Sequence, residues 1–225
     1  MATAPPGNQA KENEMTTGKL ANVYSGTFQV RHAGFTVIEL CVTLTIVGVV
    51  FGLGLPNALI WLKNAQIRTA AETLSSGLQL ARAEALRRNV SVEFVLTDDS
   101  IDSASSNNVV ATLAGRNWLI RLYREDGANT AADFIQARSG AEASSNTRVL
   151  SNAQRIVFNS LGDYSVTEPA NVIPAIALFP KDGACETDGG NVRCLEVNVK
   201  PGGMIKMCDP RVDPADPRTC TASAL

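Results

Sequence analysis

The run from Phe35 to Leu55 is 21 residues long and carries a single charge, Glu39. A helix of that length covers about 30 Å, the thickness of bilayer hydrocarbon. Its apolar residues leave no polar face, unlike the one-sided stripe of a helix that covers a core. A secretory signal peptide would have a shorter apolar stretch and a small-x-small cleavage site after it; here Pro56-Asn57-Ala58-Leu59 follow. The run is therefore expected to anchor the chain in a membrane. Lys19 and Arg31 precede it, so the N-terminal side should stay cytoplasmic and the remainder should lie across the membrane. Glu39 is the anomaly. An acid deep in hydrocarbon costs at least about 2.5–3.5 kcal/mol, so a partner has to be found for it.

Cysteine usage agrees with that orientation. Cys41 lies inside the run, whereas Cys185, Cys194, Cys208 and Cys220 all fall in the last 41 residues, with no CxxC pair. That pattern suits disulfides in an oxidising compartment better than a zinc site. The segment "RCLEVNVKPGGMIKMCDP", Arg193 to Pro210, reads as a β-hairpin turning at Pro201-Gly202-Gly203. Near-equal arms would bring Cys194 to Cys208 and leave Cys185 for Cys220. The sequential alternative, Cys185–Cys194 with Cys208–Cys220, stays open because connectivity is not readable from sequence. Either would staple a Pro-rich tail.

Composition narrows the chemistry. At 45% hydrophobic and 19% charged, the chain can bury a core. A net charge of −2 argues against a general polyanion binder, and 5% aromatics leave little for base stacking. The single histidine, His32, precedes the apolar run, so a chain cut between the two has none. That removes a Ser-His-Asp triad, a Cys-His pair and any His-ligated metal. No other nucleophile–base or metal constellation is found, so no catalytic residue, metal ligand or cofactor is assigned. "REDGANTAAD", Arg124 to Asp133, lacks the acid spacing and terminal Glu of an EF-hand and reads as a solvated turn.

After Pro56, Leu59, Leu62, Ala70, Leu74, Leu78, Ala81 and Ala85 form an apolar stripe on a long helix. Arg68, Glu72, Arg82, Arg87 and Arg88 fall on other faces and read as solvated. Gly48, Gly52 and Gly54 lower helix propensity just before Pro56, so the helix is expected to loosen there. Strand-like runs follow at Val90–Leu96, Trp118–Tyr123, Arg155–Phe158, Ile173–Phe179 and Cys194–Val199. Asp98–Asn108 and Gly127–Thr147, rich in Ser, Asn, Ala and Asp, read as loops. This is an α+β chain: a long N-terminal helix followed by an antiparallel β-domain.

The motif Gly34-Phe35-Thr36-Val37-Ile38-Glu39 resembles the processing site of type IV pilins and their relatives. The resemblance implies that a prepilin peptidase cuts between Gly34 and Phe35 on the cytoplasmic side and methylates the new amine of Phe35. Glu39 then becomes the fifth mature residue, where the family keeps its glutamate, and Pro56 the twenty-second, where many members place a helix-bending proline. Val37 stands where most members have leucine. Glu39 of one subunit would pair with the Phe35 ammonium of a neighbour in a filament, which answers the cost of the lone acid. "LQLARAEALRRNVSVEFVL", Leu78 to Leu96, resembles the helix-to-strand junction of the GspH/FimT group, which includes minor pilins and the H-type pseudopilin of type II secretion.

The resemblance covers about residues 34–208 and implies a leader over 1–34, a transmembrane helix over 35–55, an amphipathic continuation over 56–89, a β-domain over 90–208 and a disulfide-tied tail over 209–225. Met15 is an alternative start, which would give a 20-residue leader. The implied function is that of a minor pilin or pseudopilin. It would be a non-catalytic subunit of a type IV pilus or type II secretion filament, held in the bacterial inner membrane with its C-terminal domain in the periplasm. Its partners would be the peptidase, the assembly platform and other pilins or pseudopilins. A DNA-receptor pilin is the alternative; its Gly-Arg-x-Arg turn would correspond to Gly203-Met204-Ile205-Lys206. The first arginine is missing, and from Asp182 onward seven acids face five bases, so nucleic acid is disfavoured. A membrane-anchored periplasmic enzyme is the remaining reading, and it lacks a constellation.

Overall fold

The computed structural model describes residues 34–102, 108–140, 145–168 and 172–220 of the chain, with the backbone alone at 54–57 and 166–168. Met15, Lys19, Arg31 and His32 lie outside the described residues, as does the expected leader up to residue 33. The chain divides into two units between Ile46 and Val47.

Helix α1 runs over Val37–Arg88, 52 residues. Thr36 starts it: the Glu39 amide donates to Thr36 Oγ1 at 3.3 Å, and the Leu40 amide to the Thr36 carbonyl at 3.1 Å. A Thr with Glu three residues on is the arrangement that satisfies otherwise unbonded amides at a helix start. At the other end Arg87 and Arg88 lie in the last turn, where positive charge complements the helix dipole. Asn89 then takes a left-handed φ of +56°, which stops the helix.

Nine strands follow among the described residues: β1 (Val92–Thr97), β2 (Asn117–Leu122), β3 (Phe134–Arg138), β4 (Thr147–Ser151), β5 (Arg155–Phe158), β6 (Tyr164–Glu168), β7 (Ala175–Pro180), β8 (Leu195–Lys200) and β9 (Met204–Cys208). They form two antiparallel sheets, one ordered β3-β2-β1-β5-β6 and the other β4-β7-β8-β9. The α+β class expected from the sequence is what the chain adopts. Two of its nine strands went unforeseen inside segments read otherwise: β3 lies in the expected loop Gly127–Thr147, and β6 follows Gly162 where only a turn was expected. Both are sheet edges, paired on one side only. β4, one edge of the other sheet, is a third strand that was not expected; it begins at the end of that expected loop.

One core joins α1 to both sheets. Ile67, Ala71, Leu74, Leu78, Ala81 and Ala85 face Phe94, Ile120 and Phe158 of one sheet and Ile176, Leu178 and Val197 of the other. Leu59 and Leu62, expected on the same stripe, are 58% and 47% exposed; burial of the helix starts only at Ile67. Gly77 matters within this face. A Cβ there would meet the Trp118 ring at 3.0 Å, so the bare helix backbone is what lets Trp118 stack on Phe94, ring centres 5.5 Å apart. A second, smaller cluster of Val95, Val109 and Leu119 covers the opposite face of the first sheet.

The disulfides are Cys185–Cys194 and Cys208–Cys220, with Cα atoms 5.5 and 5.0 Å apart. This is the sequential pairing; the hairpin pairing does not form, and strand register gives the reason. The three-residue turn sets Lys200 opposite Met204 and Glu196 opposite Cys208, which leaves Cys194 two residues out of step with Cys208. Each loop is instead closed locally. The Glu186 amide bonds the Val192 carbonyl at 2.8 Å beside one bridge, and the Asp209 amide bonds the Arg218 carbonyl at 2.9 Å beside the other.

Candidate functional site

The start of α1 is an uncovered apolar cylinder. Every side chain from Phe35 to Leu53 is exposed, including Phe35 at 82% and Phe51 at 60%. A monomer in water does not leave so large a contiguous apolar surface bare. The two threonines within it hide their polarity: Thr43 Oγ1 donates to the Leu40 carbonyl at 2.9 Å and Thr45 Oγ1 to the Cys41 carbonyl at 2.5 Å. No single helix among the described residues is long and apolar enough to cross a membrane; Val37–Leu53 and Ala58–Arg88 meet that length and composition only as a bent pair.

No described residue comes within 4 Å of where a Cβ on Gly34 would be. Phe35 and Glu39 lie four residues apart, one helical turn, and no described residue supplies a cation to the Glu39 carboxylate. Pro56 lies within α1, where its backbone alone is described. Thr36 was missed in reading the sequence, although the signal, Thr-x-x-Glu ahead of an apolar run, was present.

Several charged groups of the β-domain and the helix beside it are engaged with one another or with backbone carbonyls. Arg82 Nε donates to the Gly162 carbonyl at 2.8 Å and Nη2 to the Gly202 carbonyl at 3.0 Å, while the Gly202 amide bonds Asp163 Oδ1 at 2.9 Å. One arginine thus ties the β5–β6 turn of one sheet to the β8–β9 turn of the other. Gly203, at φ +69°, closes the join; a Cβ there would collide with the Gly162 carbonyl. Read from sequence, Arg82 belonged to a solvated face, and nothing in the helical pattern separates it from Arg87 or Arg88.

Asp133 is buried and takes both guanidinium nitrogens of Arg124 at 2.8 Å, with the Thr130 amide also at 2.8 Å. The Arg124 hydrogen bonds hold its carboxyl well below the usual range, against the opposing effect of burial. So the stretch read as a solvated turn is closed by an ion pair whose carboxylate is buried and whose guanidinium is half exposed. Glu84 is lowered to about 2, first by its hydrogen bond from Arg87 and then by that from Arg88. Glu93 and Arg121 form a fully buried pair across β1 and β2, with Arg155 Nη1 at 3.7 Å from the same carboxylate.

The turn compared with a Gly-Arg-x-Arg motif keeps its lysine within the chain: Lys206 Nζ donates to the Thr219 carbonyl at 3.2 Å. The one cluster of ligand-type atoms among the described residues, Glu196 with Cys208 and Cys220, has both sulfurs tied up in a disulfide.

A family model, type II transport protein GspH, matches residues 70–203, more than half the chain. No curated protein sequence matches. Among solved structures, the type IV minor pilin FimU of Pseudomonas aeruginosa is similar at 18% identity, covering 64% of this chain and 92% of its own, with a TM-score of 0.45. The minor pseudopilin EpsH of the type 2 secretion system of Vibrio cholerae is similar at 14% identity, covering 66% and 99%, with a TM-score of 0.41. E. coli GspH is similar at 11% identity over 68% and 94%, with a TM-score of 0.38. The family is one of structural subunits rather than enzymes, and its members work among other pilins or pseudopilins. On its matched residues, from the second half of α1 through β8 to the β8–β9 turn, this chain belongs to the GspH family of pilin-like proteins.

Proposed function

We propose that the chain is a minor pilin or pseudopilin assembled into a helical filament from the inner membrane. Residues 1–34 are its leader, cut between Gly34 and Phe35 by a prepilin peptidase that also methylates Phe35. Residues 35–55 anchor it, residues 56–89 continue the helix beyond a bend at Pro56, and residues 90–208 with the tied tail 209–225 stand in the periplasm. The uncovered apolar helix start carries this reading: it needs lipid before assembly and neighbouring helices after it. An acid in the first turn suits pairing with a neighbour's terminal ammonium.

Two experiments test it. Glu39→Ala should leave insertion and cleavage intact, shown by the mass of the membrane-extracted subunit, but deplete the subunit from sheared filaments; undiminished incorporation refutes the pairing. A clean deletion, with surface pili and secreted proteins measured from one culture, assigns the machine. Lost pili with normal secretion mark a minor pilin, lost secretion with normal pili a pseudopilin, and no change in either refutes the proposal.

A further inference from the structure

One side of α1 changes character part-way along its length. With 3.6 residues per turn, Leu59, Trp61 and Leu62 share one half of the helix surface, and Arg68, Thr69 and Glu72 continue the same half. All six are exposed, Trp61 at 71%. Up to Leu62 that side is therefore apolar, and from Arg68 it is polar, with Arg68 Nε donating to Glu72 at 2.9 Å along it. The opposite half meets the β-domain. There Lys63 Nζ donates to the Asp182 carbonyl at 3.0 Å, Asn64 Oδ1 accepts from the Arg193 amide at 2.9 Å, and Ile67 is buried.

Scattered exposed apolar residues need no explanation, but three on one side, following directly on an apolar helix start, do. Height along the helix supplies one. Taking Leu55 as the last residue in hydrocarbon, Trp61 lies six residues on, about 9 Å along the helix, and the bend of the pair shortens that height. The headgroup layer is about 5–8 Å deep on each side of the hydrocarbon. Arg68 lies thirteen residues on, about 20 Å along the helix, beyond that layer. An indole suits the layer between, because its ring is apolar and its N–H finds ester and phosphate oxygens there.

We infer that, with residues 35–55 anchored as proposed above, Leu59, Trp61 and Leu62 form an interfacial site seated among lipid headgroups on the periplasmic side. The partner is the membrane surface, and the change from Leu62 to Arg68 marks where water begins. Lys63 and Asn64 lie next above Leu62, so the segments that bond them, at Asp182 and Arg193, stand at the membrane surface. The β-domain thus rests on the bilayer rather than standing off it on a bare stalk.

The test uses the full chain in phosphatidylcholine–phosphatidylglycerol vesicles, floated on a density gradient to show insertion, and reads Trp61 as the fluorescence that Trp61→Phe removes. Trp118 is buried in the β-domain core and serves as the reference that neither quencher reaches. Bromine on the acyl chain next to the headgroup should quench Trp61 about threefold more than bromine near the bilayer midplane, and acrylamide should quench it weakly. The double variant W61F/R68W moves the indole up the same side past the change in character. Acrylamide should then quench it about threefold more than it quenches Trp61, and lipid bromine should leave it untouched. Both substitutions replace exposed side chains and should leave the core as it is. Failure to float refutes the anchoring and the interfacial site with it. A chain that floats, with Trp61 open to acrylamide and untouched by lipid bromine, leaves the anchor standing and overturns the site, as does stronger quenching from the midplane. Shielding of Trp61 from acrylamide and from both lipids overturns it in favour of a second copy covering this side.

Discussion

Replacing Arg82 with alanine isolates the join between the two sheets. The guanidinium makes one partly buried and one exposed hydrogen bond, at 2.8 and 3.0 Å, to backbone carbonyls on turns 80 and 120 residues away in sequence. A hydrogen bond to a charged group contributes roughly 1.5–3 kcal/mol when well shielded, and water competes for the exposed one, so the pair should contribute about 2 kcal/mol. With a urea dependence of about 2 kcal/mol per molar, that moves the unfolding midpoint down by about 1 M. Trp118, buried against Phe94, supplies the fluorescence change; Trp61 is exposed and contributes a constant background. Arg82→Lys keeps the charge, but one nitrogen cannot reach both carbonyls, so it should recover half the loss or less. Arg68→Ala removes only an exposed i,i+4 pair with Glu72 and should cost under about 0.5 kcal/mol. An Arg82→Ala midpoint within about 0.2 M of the parent, matching Arg68→Ala, would refute the claim that this contact holds the sheets together.

Asp133 gives a pH-dependent contribution. Its folded carboxyl lies below the unfolded one, so the stability it adds is complete above about pH 4 and is lost as pH falls further. The stability gap between the parent and Asp133→Asn, measured by urea titration, should therefore be widest near neutrality and narrow steadily below pH 4; a gap constant to pH 2 would contradict the ion pair. Tryptic mapping without reduction should link the Cys185 peptide to the Cys194 peptide and the Cys208 peptide to the Cys220 peptide, since Arg193 and Arg211 separate the members of each pair. A Cys194–Cys208 linkage would overturn the register given for β8 and β9. Chain-entropy arguments put each of these short loops at about 2.5 kcal/mol, to be read from the midpoints of the Cys185→Ser/Cys194→Ser and Cys208→Ser/Cys220→Ser variants.

What the sequence made legible was whatever repeats at a fixed interval. The stripe Ala70–Leu74–Leu78–Ala81–Ala85 follows helical spacing and is buried throughout. Strands β1, β2, β5, β7 and β8 announce themselves by runs of branched and aromatic residues, and their bounds shift by only one or two residues. β3 and β6 carry such residues too, Phe134-Ile135 in one and Tyr164, Val166 and Thr167 in the other, but in runs of only five residues set within or beside polar and turn-rich stretches that read as loop. Disulfide pairing turned on a register that one residue more or less in the Pro201–Gly203 turn would have changed. Arg82 was hidden for another reason: its partners are turn carbonyls 80 and 120 residues away in the chain. The helix start was readable as a motif, yet its local chemistry, Thr36 capping the Glu39 amide, emerged only with the backbone.

The disulfides also have a mechanical consequence. They withhold spans of 9 and 12 residues from extension, about 30 and 40 Å of contour, both within the last 41 residues. A load applied between the helix and the β-domain therefore meets no covalent cross-link before Cys185. It is carried first by packing and by contacts such as the Arg82 join, and the bridges come under tension only after those have given way.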